Sequence, residues 1–330
     1  MNLTKCEVAK MEWKEEFLQL YLLNDISSYR KALDLKRNHI PEKLYRYRSL
    51  SNDSMKHRFG EIIRGELFLS HPKDLNDPFE VSSVLGNSEP AHYMWDKKDF
   101  TELFREIMEP EVFERIFSSE TWYNDLLTFV AEKSVPAEQV EATKAALTQT
   151  VMKTFEKLNA DMNTMSRNMV RFACFSTKPD NLPMWHHYTN AHTGICLEYD
   201  TRNINSVYQI NMLFPVYYVD KMPDVTNMFL HGEYPKFGLM EYMAMHKLQD
   251  WSYENEWRLI HDAGSWYYGK EDIPEEFWSH GKTIQFIRPS KVILGMGISE
   301  EHEAMIRDYA RIADVPVTKA VQTEYGLKID

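Results

Sequence analysis

The hydrophobic pattern of this chain turns from a long helical stretch to a series of strands near residue 171, and that change constrains the fold more than any other feature. From about residue 96 to residue 171 the apolar residues recur at helical spacing. Beyond residue 171 they gather into short runs rich in β-branched and aromatic side chains, at 171–176, 194–199, 214–219, 256–260, 283–287, 291–294 and 315–321. Helical patterns interrupt these runs at about 236–249 and at 300–313. Many strands with few crossover helices predict an α+β fold, with a mainly antiparallel (mixed) sheet and flanking helices.

The rest of the chain fits around that sheet. Residues 8–38 read as helix, with Trp13, Phe17, Leu18, Tyr21 and Leu22 at helical spacing, so residues 1–40 form an N-terminal helical arm. Pro41 stops the helix, and 43–47 reads as a strand. Gly65 closes a further helix and leads into a strand at 66–70, and the two prolines of 71–79 make that segment a loop. The α+β domain of residues 41–330 is interrupted by a helical insertion at about 96–170. Its clearest helix starts near Ser134, and Val140, Leu147, Val151, Phe155, Leu158, Met162 and Met165 share one stripe. Such a stripe is core or the surface for a protein partner.

Composition excludes several classes. The chain has 330 residues, 43% of them hydrophobic, with no apolar run near the ~20 needed to span a bilayer. The charged start of the sequence does not resemble a secretory signal. Cys6, Cys174 and Cys196 form neither a disulfide framework nor a metal pair, which fits a reducing cytoplasm. A net charge of −12 speaks against gripping duplex nucleic acid and does not favour a membrane surface. Glycine-rich phosphate loops, HExxH and GxSxG are absent; Gly295 and Gly297 read as a turn.

Candidate chemistry lies in four segments where polar groups are set among aromatics. In LYRYR (44–48), Arg46 and Arg48 project to one face of a strand, able to clamp an anion, with Tyr45 and Tyr47 on the other. In NDPFE (76–80), Asn76 and Asp77 either fix a turn or line a site. The run from Cys174 to Asp200 carries Ser176, Thr177, Trp185, His186, His187, Tyr188 and His192. His186 and His187 diverge by about 100° on a helix, which opposes joint metal ligation and favours one histidine, His187, as an acid–base group. In WSYENEWR (251–258), Glu254 and Glu256 share a side if the strand begins at Glu254, and each would raise the other's pKa. The alternative is an ion pair of one of them with Arg258 or Arg46.

Taken in order, LYRYRSL (44–50), GELFLSHPKDLNDPFE (65–80), CFS (174–176), MWHHYTNAHTGICLEYD (184–200) and YENEWRLI (253–260) resemble a large bacterial family defined by a domain of unknown function. The resemblance spans about Leu44 to Leu294 and implies no activity; the long helical segment between Glu80 and Arg171 departs from it. The order of arginine, Ser/Thr and Glu-x-Glu is also similar to the arginine–serine–glutamate class of ADP-ribosyltransferases. That likeness implies NAD as a substrate, not a tightly bound cofactor. It gives Arg46 or Arg48 to the phosphates, Ser176 and Thr177 to the nicotinamide side, Glu256 to the cationic ribose and Glu254 to the acceptor. Trp185, Tyr188 and Tyr47 would serve as ring-stacking or binding groups, with Arg258 beside them.

Three readings follow. The first is an NAD-consuming transferase or glycohydrolase acting on a small nucleotide, of the kind used by toxins and antiviral effectors. The second is a non-enzymatic sensor gripping an anion through Arg46 and Arg48. The third is a metal-dependent hydrolase using His186, His187 or His192 with Asp180 or Asp200. They separate on whether Arg46, Ser176 and Glu256 converge on one cleft.

Overall fold

A computed structural model describes residues 12–23, 25–51, 55–84, 97–226, 228, 238–262, 281–324 and 326–329. Cys6 and the start of the arm lie outside them. Strand β1 is Lys43–Arg48, β2 Glu66–Leu69, β3 Val170–Ser176, β4 Ile195–Asp200, β5 Leu213–Pro215, β6 Tyr217–Val219, β7 His246–Leu248, β8 Glu256–Asp262, β9 Lys282–Gln285, β10 Lys291–Leu294 and β11 Val317–Lys319. Seven of them form one sheet in the order β11-β10-β4-β1-β3-β8-β5. Within it only β10 and β11 pair in parallel, so the sheet is mainly antiparallel and mixed, and the fold is α+β. Among the described residues no helix is long and apolar enough to cross a membrane.

The chain falls into two compact units, one of residues 1–82, 166–222 and 236–330, the other of 83–165 and 223–235. The first holds the sheet. Its centre is Val170, Phe172, Ile195, Leu197, Leu259, Ile260 and Val292, all fully buried. β3, β4 and β8 are buried on both faces over much of their length, as central strands covered on both sides must be. The second unit has its own aromatic cluster of Phe113, Phe117, Trp122 and Leu126.

Several elements depart from the sequence pattern, each for a local reason. The arm is two helices, Trp13–Leu22 and Ile26–Arg37, because Asp25 caps the second by accepting from Ser28 N. The run 214–219 divides at Val216, whose N–H turns to Glu256 O, leaving Tyr217–Val219 to pair with β7. The helix expected over 236–249 is only Leu239–Ala244, since His246–Leu248 is taken as a strand. The long insertion helix runs Val140–Met169; Phe155 and Met162 of its stripe are buried, while Met165 is 55% exposed. The turn expected at Gly295 is present, and a Cβ there would overlap His192 O.

Candidate functional site

The sheet is not continuous. β1 pairs with β4 along its whole length but meets β3 only at Tyr45 and Ser176. Further along, β3 turns to Ser70, just past β2, and Ser70 and Phe172 exchange both backbone hydrogen bonds, at 2.8 and 3.2 Å. The edges of β1 and β3 therefore diverge. In the fork lies a cavity of about 110 Å³, bordered by Tyr45–Arg48, Ser70, Leu75, Asn76, Glu80, Cys174–Ser176, Met184, Tyr188, Lys247, Glu254 and Glu256.

Pairing register decides which side chains share a face. Tyr45, Ser176 and Glu256 lie in one row across β1, β3 and β8, so their side chains point the same way. Arg46 and Arg48 are out of step with that row and point to the opposite face. Arg46 donates to Phe68 O at 2.7 Å and lies over the Phe175 ring, while Arg48 is bonded to Glu61. Arg58 also pairs with Glu61, at 2.6 Å. Burial and the mutual repulsion of these arginines push Arg46 down to about 10 and Arg58 to about 9. Burial would raise Glu61, but the three guanidinium groups outweigh it and hold it at about 2. Arg46, Ser176 and Glu256 do border one cavity, but the expected anion clamp is corrected: the guanidinium groups of Arg46 and Arg48 are bonded to Phe68 O and to Glu61 on the other face.

On the cavity face the charges are carboxylate-rich. Among the described residues, Glu80, Glu254 and Glu256 pair with two cations, Lys247 and Arg258, and all five are buried. Arg258 grips both oxygens of Glu80 at 2.8 Å and Glu256 at 2.8 and 3.1 Å, and it donates to Ala244 O at 2.7 Å. Lys247 reaches Glu254 at 2.6 Å, Glu256 at 3.3 Å and Glu80 at 3.4 Å. The second oxygen of Glu254 accepts from the Tyr188 hydroxyl, which Asn76 Nδ2 approaches at 3.5 Å.

These partners separate the two acids. Burial and the nearby Glu256 push Glu254 up to about 7. Burial also works against an ionised Glu256, but Arg258 and Lys247 outweigh it and hold Glu256 at about 2. Both carboxylates reach Lys247, so they share a side as the Glu-x-Glu spacing anticipates, though by another route, and the expected alternative of an ion pair with Arg258 also forms, at Glu256. Glu254 ends the 3-10 helix Gln249–Glu254, and Asn255, left-handed at φ 48°, swings the chain into β8.

The other expected site residues divide. Tyr47 borders the cavity while donating to Lys178 O at 2.7 Å. Ser176 borders it too, but its hydroxyl donates to Glu254 O at 2.7 Å, so it positions the acid and is not the nicotinamide donor the likeness implied. Trp185 is fully buried in the core against Tyr47, its Nε1 bonded to Pro179 O, and is not a stacking platform. Asp77 closes its own turn by accepting from Phe79 N at 2.9 Å. Thr177 joins Asn255 through its backbone and does not border the cavity. His187 is exposed and outside the lining, which corrects its assignment as an acid–base group there. His186 lies 5.3 Å from His187 and 6.2 Å from His192, ring to ring, yet no group of three or more His, Cys, Asp or Glu is arranged to hold a metal among the described residues.

Lys247 and Glu80 went unassigned in the sequence. Lys247 sat inside an expected helix, and the three residues of β7 carry no pattern that would have marked it. Residues 184–259, which carry Tyr188, Lys247, Glu254 and Glu256, match one family model. It is described as Protein of unknown function (DUF2971). The unknown-function resemblance therefore holds over a narrower stretch than Leu44 to Leu294. No curated protein and no solved structure matches the chain.

Proposed function

We propose that the chain is an enzyme that moves a proton through Glu254 while cleaving the N-glycosidic bond of NAD or a related nucleotide. One observation carries the reading: two carboxylates on one cavity are driven to opposite ends of the acid range, Glu254 to about 7 and Glu256 to about 2. Acids separated in this way divide the labour of proton transfer and charge stabilisation. A group titrating near neutrality is the efficient proton carrier.

Ionised Glu254 accepts a proton from water as the water oxygen bonds to the anomeric carbon, and the base departs with the electrons of the broken C–N bond. Tyr188 and Lys247 hold the two oxygens of Glu254 in place. Glu256 remains ionised, its charge engaged by Arg258 and Lys247, so it sets the field around Glu254 and does not approach the ribose itself. A cavity of about 110 Å³ is far below the ~300–1,000 Å³ that enclose a drug-sized ligand. It admits one end of the nucleotide, and the phosphates stay outside.

The test is release of the free base from NAD, NADP and ATP by purified protein. Glu254→Gln is expected to lower the rate by about 10²- to 10⁴-fold with the circular dichroism unchanged. Release is expected to rise with pH and level off above about 7. Folded wild-type protein that releases no base from any of the three overturns the proposal.

A further inference from the structure

We infer that the cavity in the sheet fork selects a small organic cation, a positively charged ring or alkylammonium end, over neutral or anionic groups of the same shape. The inference rests on the reading of this cavity as the substrate site, and it names the chemical character of the end that enters.

The argument is a charge count confined to one hollow. Three carboxylates face two protein cations there. Both cations are fully engaged: Lys247 contacts Glu254, Glu256 and Glu80, and Arg258 contacts Glu80, Glu256 and Ala244 O. Arg258 has all five of its N–H donors engaged, and the charge of Lys247 is already shared among three carboxylates. With all three acids ionised, the hollow holds one uncompensated negative charge, and a buried charge without a counter-charge costs several kcal/mol. A ligand carrying one positive charge supplies the missing partner.

The remaining lining points to the same class. Tyr45, Tyr47, Tyr188 and Met184 border the cavity, and aromatic rings around a carboxylate are the composition that holds organic cations. Arg46 and Arg48 also border the cavity, but their guanidinium groups, with that of Arg58, are packed around Glu61 on the other face and pair with none of the three carboxylates.

The groups facing Glu254 determine its response to pH. They are Tyr188 on the helix Leu182–Tyr188, Lys247 on β7, Glu256 and Arg258 on β8, and Glu80 in its loop, with the Tyr218 and Tyr253 phenols close enough to sense its charge. Burial and the neighbouring Glu256 push Glu254 up to about 7. Binding of a cation therefore displaces its proton, and affinity rises as that proton leaves.

The experiment is calorimetric titration of the full chain with 1-methylpyridinium, benzyl alcohol and benzoate between pH 5.5 and pH 8.5. The cation is expected to bind saturably, its affinity rising by about tenfold per pH unit up to about 7 and then levelling. Benzoate is expected not to bind, and benzyl alcohol to bind at least about tenfold more weakly than the cation. In Glu254→Gln the cation should weaken by about tenfold or more and lose its pH dependence. Should that variant unfold, the wild-type profile alone decides. A pH-independent affinity, or benzoate binding as tightly as the cation, overturns the inference. Cation binding with the expected profile but no base release supports the inference and rejects the glycosidic reaction.

Discussion

Two clusters of buried charge flank the central strands, one on each face, and they are built from the same residue types in opposite proportion. Around Glu61 gather three arginines, packed against Phe68 and Phe175. Around Lys247 and Arg258 gather three glutamates, and beside them the sheet opens into a cavity. The first perturbs arginines that no ordinary pH will titrate. The second perturbs an acid into the range where proteins work. Perturbed charge becomes chemistry only when it borders space and titrates near neutrality.

The comparison can be broken by substitution. The largest loss is expected from Arg258→Leu, which leaves Glu80 and Glu256 short of their main partner and should cost about 3–5 kcal/mol in denaturant unfolding. An unchanged midpoint would mean that the cavity-side cluster is not a structural unit. Glu61→Gln should come next, destabilising by roughly 3 kcal/mol because three guanidinium groups then repel with no carboxylate between them. It should leave any activity at neutral pH in place, since the arginine cluster faces away from the cavity.

Glu254→Gln sharpens the contrast through pH. The Glu254 pKa rises from 4.5 unfolded to about 7 folded, so the native state holds the proton more tightly and loses stability as pH climbs between those values. The full penalty, on the order of 3 kcal/mol, applies above about pH 7. The variant should therefore unfold later than wild type at pH 8 and match it near pH 5. Glu256 has the opposite sign: its contribution is present above about 4.5 and is lost as pH falls toward about 2. The smallest effect is expected from Tyr188→Phe, which removes one hydrogen bond to Glu254. It should cost about 1 kcal/mol and move the pH midpoint of activity upward.

Much of this was legible in the residues. Alternation put Arg46 and Arg48 on one side of a strand, and the structure has them so; which side it would be was fixed by register with β3, which no local pattern encodes. The Glu-x-Glu pair was visible, but the left-handed Asn255 that joins its members was not. Trp185 and Ser176 read as site residues, and tertiary packing gave both to the scaffold. Lys247 was hidden because a three-residue strand is too short to show a period.

The fork itself has a consequence for how such a pocket changes over generations. It exists because β1 meets β3 only at Tyr45 and Ser176 while β3 goes on to bond Ser70, a matter of main-chain path that few side-chain replacements alter. Mutation can retailor the walls at Tyr188, Met184 or Asn76 and so alter what is admitted, while the parting of the strands stays where it is.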